Sequence, residues 1–337
     1  MLQDSPTEFR SRRLYTEAQI SLPAEELGNI FGEFDKNIKL IEKELHVTII
    51  SREDKIKIIG EEGPVNKTVF ILQELSKQSQ NGDVIDEQNV SYLLSLKKDS
   101  DKKAIEKLDS DIICHTVTGK PVKPKTLGQK EYVDSIRKNM ITFGIGPAGT
   151  GKTYLAMAMA VSAFARGDVS RIILTRPAIE AGEKLGFLPG DLQSKIDPYL
   201  RPLYDALYEI MGQENFFRNS EKGLIEVAPL AYMRGRTLDG AFIILDEAQN
   251  TTPSQMKMFL TRIGFGSKII VTGDLTQKDL PADTVSGLEL ARRVISDIDG
   301  ISFINLTGAD VVRHPLVQKI VNAYEEYESK ARERKRK

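Results

Sequence analysis

The sequence predicts an α/β fold: a parallel-sheet core over residues 127–325, preceded by a small α+β domain over 16–110. Three observations predict it. From Leu127 onward, apolar strands alternate with helices, the mark of a parallel sheet with crossover helices. One strand-to-helix turn is a glycine-rich loop, Gly146-Pro147-Ala148-Gly149-Thr150-Gly151-Lys152-Thr153. Ahead of the core, residues 18–77 give shorter elements in a different order, and residues 116–126, with two prolines and three lysines, read as part of an extended connector over 111–126.

Residues 1–15 are polar and mixed in charge and read as a flexible terminus. A short strand over 18–22 and a helix beginning at Pro23 follow. Gly32-Glu33-Phe34-Asp35 breaks the chain before a helix over 37–45, where Ile38, Ile41 and Leu45 share one face. Strands over 47–51 and 55–60 and a helix over 65–76 complete the unit. Helix, helix, strand, strand, helix resembles a KH-type RNA-binding module, which clamps a nucleic-acid backbone with a Gly-x-x-Gly loop. Here that loop lacks the second glycine and carries two acids, with Lys36 and Lys39 placed to meet phosphates. A docking or oligomerisation domain is the alternative. Residues 87–96 read as a further helix, and the charge run over 97–103 as a solvated face or linker.

In the core, strands are expected at 141–145, 171–175, 224–227, 242–245, 268–272 and 302–306. The glycine-rich loop fits the G-x-x-x-x-G-K-[ST] phosphate-binding pattern. It lies between the apolar, β-branched 141–145 strand and a run of helix formers, the context in which phosphates sit on a helix N-terminus. Its backbone N–H groups would face one oxygen cluster. Lys152 would reach the β- and γ-phosphates of ATP, and the Thr153 hydroxyl would coordinate Mg²⁺.

The 242–245 strand ends in Asp246-Glu247-Ala248-Gln249-Asn250. At a strand tip beside the phosphate loop, Asp246 can hold Mg²⁺ and Glu247 can act as general base on water. Gln277, in Gly273-Asp274-Leu275-Thr276-Gln277, stands where it could sense a γ-phosphate. Gln129 carries an amide suited to the edge of adenine, or is simply an N-terminal helix glutamine. Arg313 is a candidate arginine finger, with Arg234 and Arg236 as rivals. After the second strand, residues 174–190 form a glycine- and proline-rich loop, and Arg176, Lys184 and Arg201 could meet a nucleic-acid backbone.

Hydrophobic content of 40% with 28% charged residues marks a globular chain able to bury a core. Net charge of −1 means any basic surface is local, such as the tail over 326–337. The single cysteine, Cys114, fits a reducing compartment. Cys114-His115 reads as ordinary strand side chains rather than a zinc site. With no signal pattern at the start and no apolar run long enough to cross a bilayer, a cytoplasmic protein without a membrane partner is expected.

As an ordered set, Pro124-Lys125-Thr126-Leu127-Gly128-Gln129-Lys130, the phosphate loop, Thr175-Arg176-Pro177, Arg234-Gly235-Arg236, Asp246 to Asn250, Gly273 to Gln277 and Arg313-His314-Pro315 resemble the PhoH-like ATPases over roughly 120–325. The resemblance implies a RecA-like P-loop NTPase core, ATP with Mg²⁺, and a link to RNA metabolism or phosphate starvation. Some members carry a PIN nuclease domain. The first hundred residues here lack that pattern, so intrinsic nuclease activity is not expected and a separate ribonuclease partner is. A single RecA-like core also implies a homo-oligomeric ring, a hexamer by likeness to other RecA-like rings, in which a neighbour supplies the arginine.

Overall fold

The computed structural model describes residues 15–52, 54–82, 84–96, 108, 111–177, 192–281, 283–312, 317, 320, 323–324 and 327. Most of 1–15, the 97–103 charge run, Lys184 with most of its loop, Arg313 and most of the basic tail lie outside the described residues. The chain divides into two compact units, residues 1–97 with 313–337, and residues 98–312.

In the first unit, β1 (Tyr15–Ser21), α1 (Ala24–Phe31), α2 (Lys36–Leu45), β2 (Thr48–Arg52), β3 (Lys55–Glu61), α3 (Glu62–Gln80) and α4 (Glu87–Ser95) follow in order. The antiparallel sheet runs β1-β3-β2. Strand alternation turns Ile56 and Ile58 inward, where they are fully buried with Ile30, Ile41, Ile71, Leu72 and Leu75. Each such side chain contributes roughly 1.5–3 kcal/mol when removed from water. Buried polar side chains take part in pairs here: Asn37 donates to the Ile30 carbonyl at 3.0 Å and Ser76 donates to Glu26 at 2.6 Å, while Asn37 Oδ1 and Glu74 Oε2 stay unpartnered among the described residues. Helix α3 begins three residues earlier than the sequence predicts, because Pro64 is tolerated in a first turn whose N–H groups have no helical partner.

The second unit starts with a small hairpin, β4 (Cys114–His115) and β5 (Pro121–Val122), where an extended connector was expected. Gly119, at φ +81°, makes the turn, and the Thr116 N–H donates to the Lys120 carbonyl at 2.8 Å. Helix α5 (Leu127–Lys138) is capped by the Thr126 hydroxyl, which accepts from the Gln129 N–H. Then come β6 (Ile141–Ile145), α6 (Lys152–Ala165), β7 (Arg171–Arg176), α7 (Leu192–Met211), α8 (Gln213–Glu221), β8 (Ile225–Pro229), β9 (Ala241–Leu245), α9 (Pro253–Leu260), β10 (Lys268–Gly273), α10 (Gly287–Ile295) and β11 (Ile301–Asn305). The six strands pair in parallel in the order β11-β6-β10-β9-β7-β8.

Both faces of this sheet are covered, so β6 and β9 are buried at every position. Alternate residues feed two cores. Ile172, Leu174, Phe242, Ile244 and Ile270 pack with α5, α6 and α7, while Phe143, Ile173, Ile243, Leu245 and Val271 pack with Met256, Phe259 and Leu288. This is the expected parallel α/β core, with the glycine-rich loop leaving β6 and with β8 at one edge. One expectation needs correction. The phosphate-loop strand β6 and the acid-bearing strand β9 are not neighbours, because β10 lies between them and pairs with both.

Candidate phosphate-binding site

The site lies where ligands sit in open α/β sheets, outside the carboxyl ends of the strands. A cavity of about 260 Å³ is lined by Ala148, Gly149, Gly151, Lys152, Thr153, Tyr154, Asp246, Glu247, Gly273, Asp274 and Gln277. The loop between β6 and α6 turns on Gly149 and Gly151, whose φ values of +86° and +76° favour glycine. Gly146 answers a different need: a Cβ there would stand 2.5 Å from the Leu306 carbonyl oxygen. The loop is further pinned by Gly146 N–H to the Gly273 carbonyl at 3.1 Å and by the Thr150 hydroxyl to the Pro147 carbonyl at 2.9 Å. The ammonium of Lys152 rests on the carbonyls of Gly146 and Pro147 at 2.7 and 2.8 Å. The first N–H groups of α6 have no acceptor in their own helix and open a site for an anion.

Thr153 and Asp246 meet: the threonine hydroxyl donates to Asp246 Oδ1 at 2.7 Å. Thr272, buried on β10, donates to the same oxygen at 2.7 Å, and the Asp246 N–H is held by the Thr175 carbonyl at 2.9 Å. The intervening strand thus orients the acid. Tyr132 lies beneath, fully buried, with its hydroxyl unpartnered among the described residues. Burial, and then the charge of Asp246, hold that phenol far above its usual pKa. Its ring fills the space over Gly144, where a Cβ would lie 2.6 Å from it.

Glu247 adopts a left-handed backbone, φ +52°, uncommon for a side chain of this size. Arg176, at the end of β7, donates to Glu247 Oε1 at 2.6 Å, and Gln249 Nε2 reaches Oε2 at 2.5 Å. Gln249 is 1% exposed and also accepts from the Asp274 N–H at 3.0 Å. Asp274 in turn accepts from the Ala148 N–H of the phosphate loop at 3.1 Å. Asp274, Gln249, Thr272 and the Arg176–Glu247 pair carry roles that the sequence reading did not assign. Asp274 and Gln249 stand inside motifs that could have pointed to them; the pairing of Arg176 with a residue 71 positions away could not have been found that way.

Gln277 lines the cavity and its side chain is exposed, while its carbonyl accepts from Gln249 at 3.1 Å. Gln129 does not line it. Its amide donates to the Thr150 carbonyl at 3.2 Å and accepts from the Lys125 N–H at 2.7 Å, so it braces the phosphate loop from behind. Tyr154 lines the cavity and donates to Glu209 at 3.0 Å; burial and that bond push its phenol up. Arg236 makes a two-point ion pair with Glu226 at 2.6 and 2.7 Å. Arg234 is exposed. Arg313 itself is not described, but the Val312 N–H just before it donates to the Gly149 carbonyl at 2.8 Å.

With this geometry in place, a family model described as PhoH-like protein matches residues 121–325. A PhoH-like protein of Bacillus subtilis (strain 168) is 52% identical over 301 residues, covering 89% of this chain and 94% of that one. The chain belongs to the PhoH family. A PhoH-like protein of Synechocystis is 48% identical over 318 residues, covering 93% and 96% of the two chains. Protein PhoH of Escherichia coli (strain K12) is 44% identical over 206 residues, 60% of this chain and 58% of that one. Among solved structures, the Sulfolobus solfataricus SWI2/SNF2 ATPase core in complex with dsDNA overlaps 43% of this chain and 31% of its own at a TM-score of 0.30 and 14% identity, a level that carries no argument. Among the described residues of this PhoH-family chain, no helix is long and apolar enough to cross a membrane.

Proposed function

We propose that this chain hydrolyses ATP and couples the turnover to binding and remodelling of RNA. The observation that carries the reading is the Thr153–Asp246 contact, a hydroxyl and a carboxylate 2.7 Å apart at the foot of the phosphate loop. Magnesium in nucleotide sites is held by such a pair of oxygens together with the substrate's own phosphates, so these residues fit it. Bound there, Mg²⁺ would neutralise charge developing on the phosphoryl oxygens. Lys152 would exchange its loop carbonyls for the β- and γ-phosphates. Glu247 would take the proton of the attacking water, and Gln277 would report the γ-phosphate.

Support for RNA comes from the first unit, whose β-α-α-β-β-α order and antiparallel sheet resemble a KH-type module. With two acids in its turn, RNA would be gripped by the exposed Lys36 and Lys39 beside it. The arginine finger would come from a neighbour. Arg234 and Arg236 follow β8, four places from β6 in the sheet, about 19 Å at the usual strand spacing of ~4.8 Å. A head-to-tail ring, a hexamer by resemblance, would place such an arginine at the next subunit's site. Native mass measurement with ATP that finds monomer alone would overturn the ring. A cytoplasmic setting belongs to the proposal and rests on the single cysteine.

A second reading, a nucleotide-regulated scaffold that binds RNA or a ribonuclease partner with little turnover, is favoured by the donors already present on both oxygens of Glu247. Steady-state ATP hydrolysis with and without single-stranded RNA separates the two. RNA-stimulated turnover that disappears in Lys152→Ala and Glu247→Gln supports the first reading. Nucleotide binding without turnover in either condition supports the second.

A further inference from the structure

We infer that Arg176 and Gln249 are positioning residues for Glu247, together aiming its carboxylate at the water it activates. The inference rests on the hydrolytic reading above and adds two residues to it. Among the described residues each oxygen of Glu247 has one donor, Arg176 on Oε1 at 2.6 Å and Gln249 on Oε2 at 2.5 Å. A carboxylate oxygen has two acceptor directions, so each oxygen keeps one for water in the cavity that Glu247 lines. Neither Arg176 nor Gln249 is among the described residues lining that cavity, so both act through Glu247.

The backbone explains why two donors are needed. With φ at +52°, Glu247 leaves its strand in a conformation its side chain disfavours, and such conformations persist where surrounding contacts over-determine them. Gln249 is nearly inaccessible, and its amide is fixed at both ends, by the Asp274 N–H at 3.0 Å and the Gln277 carbonyl at 3.1 Å. Asp274 holds the Ala148 N–H, so one run of hydrogen bonds joins the phosphate loop to the base: Ala148, Asp274, Gln249, Glu247, Arg176. Arg176 is 19% exposed and lies 3.8 Å from Asp246 Oδ2, so its planar group faces both acids at once. A lysine would keep the charge and lose that fork.

The test uses the full chain and measures ATP turnover and ATP binding by calorimetry for Arg176→Ala, Arg176→Lys and Gln249→Ala, each alone and combined with Glu247→Gln. Misaiming a catalytic group costs on the order of 10² in rate, so Arg176→Ala and Gln249→Ala are expected to lower kcat about 10- to 100-fold. The Kd for ATP should stay within about threefold, because the lost contact is not to nucleotide. Arg176→Lys should recover part of the rate. In the Glu247→Gln background, either substitution should lower the residual rate by less than about twofold, since residues acting as a unit are not additive. Thermal unfolding of Arg176→Ala, Glu247→Ala and the double variant supplies a readout independent of turnover, and should show coupling between the two sites.

Unchanged or raised kcat in both single variants overturns the inference while leaving hydrolysis intact. So does a loss confined to ATP affinity that lysine does not rescue, which would put Arg176 on the nucleotide. Wild-type protein that binds ATP and never turns it over removes the hydrolytic reading, and this inference with it.

Discussion

The two units each contain a short turn in which the backbone passes through left-handed conformations, and they solve the problem differently. In the phosphate loop, the positive φ values fall on Gly149 and Gly151. In the turn between α1 and α2, Gly32 is followed by Phe34 and Asp35 at +56° and +58°. Glycine lets N–H groups close on an anion without a side chain in the way. At 33–35 the side chains are kept: two acids and a phenylalanine that is 89% exposed. The comparison teaches that a glycine pattern matters less for flexibility than for what it leaves out. One turn presents bare backbone, as the proposed phosphate site requires; the other presents acid and aromatic surface, and any phosphate contact there would fall to lysines nearby.

The comparison breaks if substitutions in the two turns have similar effects. The largest expected effect is from Gly146→Ala. Its new Cβ would stand 2.5 Å from the Leu306 carbonyl oxygen and 2.8 Å from the Leu306 Cβ, so either the loop or β11 must shift. Overpacking of this kind costs about 1–3 kcal/mol, visible as a lowered Tm, and ATP affinity should fall at least about tenfold with it. A variant that melts and binds as wild type would show that the loop tolerates displacement.

A smaller effect is expected from Asp274→Ala, which removes the acceptor of the Ala148 N–H and of the Thr276 N–H and hydroxyl. Unpaired donors cost about 1–3 kcal/mol where they are buried. The loss should be read in ATP affinity by calorimetry more than in the melt, because the Ala148 N–H lies on the loop itself. Unaltered affinity would mean that the loop holds its shape without the Asp274 contact.

The smallest effect is expected from Asp35→Gly. Relief of the left-handed conformation and the added freedom of glycine oppose each other, so the Tm should change by less than about 1 kcal/mol equivalent. ATP turnover should stay at the wild-type value. Fluorescence anisotropy with single-stranded RNA then sharpens the comparison. Tighter binding would mean that the turn contacts phosphate after all, and unchanged binding would leave the lysines or another surface as the contact.

Much of this was legible in the chain. The six core strands stand within a residue or two of their expected places, because buried parallel strands are β-branched runs bounded by turns. The loop from Gly146 to Thr153 and the acids after β9 were readable for the same local reason. The order of strands was not, since it depends on which crossover the chain takes. The insertion of β10 between β6 and β9 therefore came from the structure. Partners distant in sequence were hidden as well. Gln129 was visible as an amide, but its contact with Thr150 depends on how α5 packs behind the loop. Arg236 was visible as a cation, but not that Glu226 already holds it.

The small serine that opens α10 has a consequence of its own. Ser286 is 1% exposed and its hydroxyl donates to the Gln249 carbonyl at 2.8 Å, while also accepting from the Leu288 N–H that starts the helix. One oxygen therefore caps a surface helix and touches the motif that follows β9. If the chain turns over ATP as proposed, a tilt of that motif would be matched at the helix start, and the outward-facing Leu290 and Val294 one and two turns on would carry it to the exterior of the core.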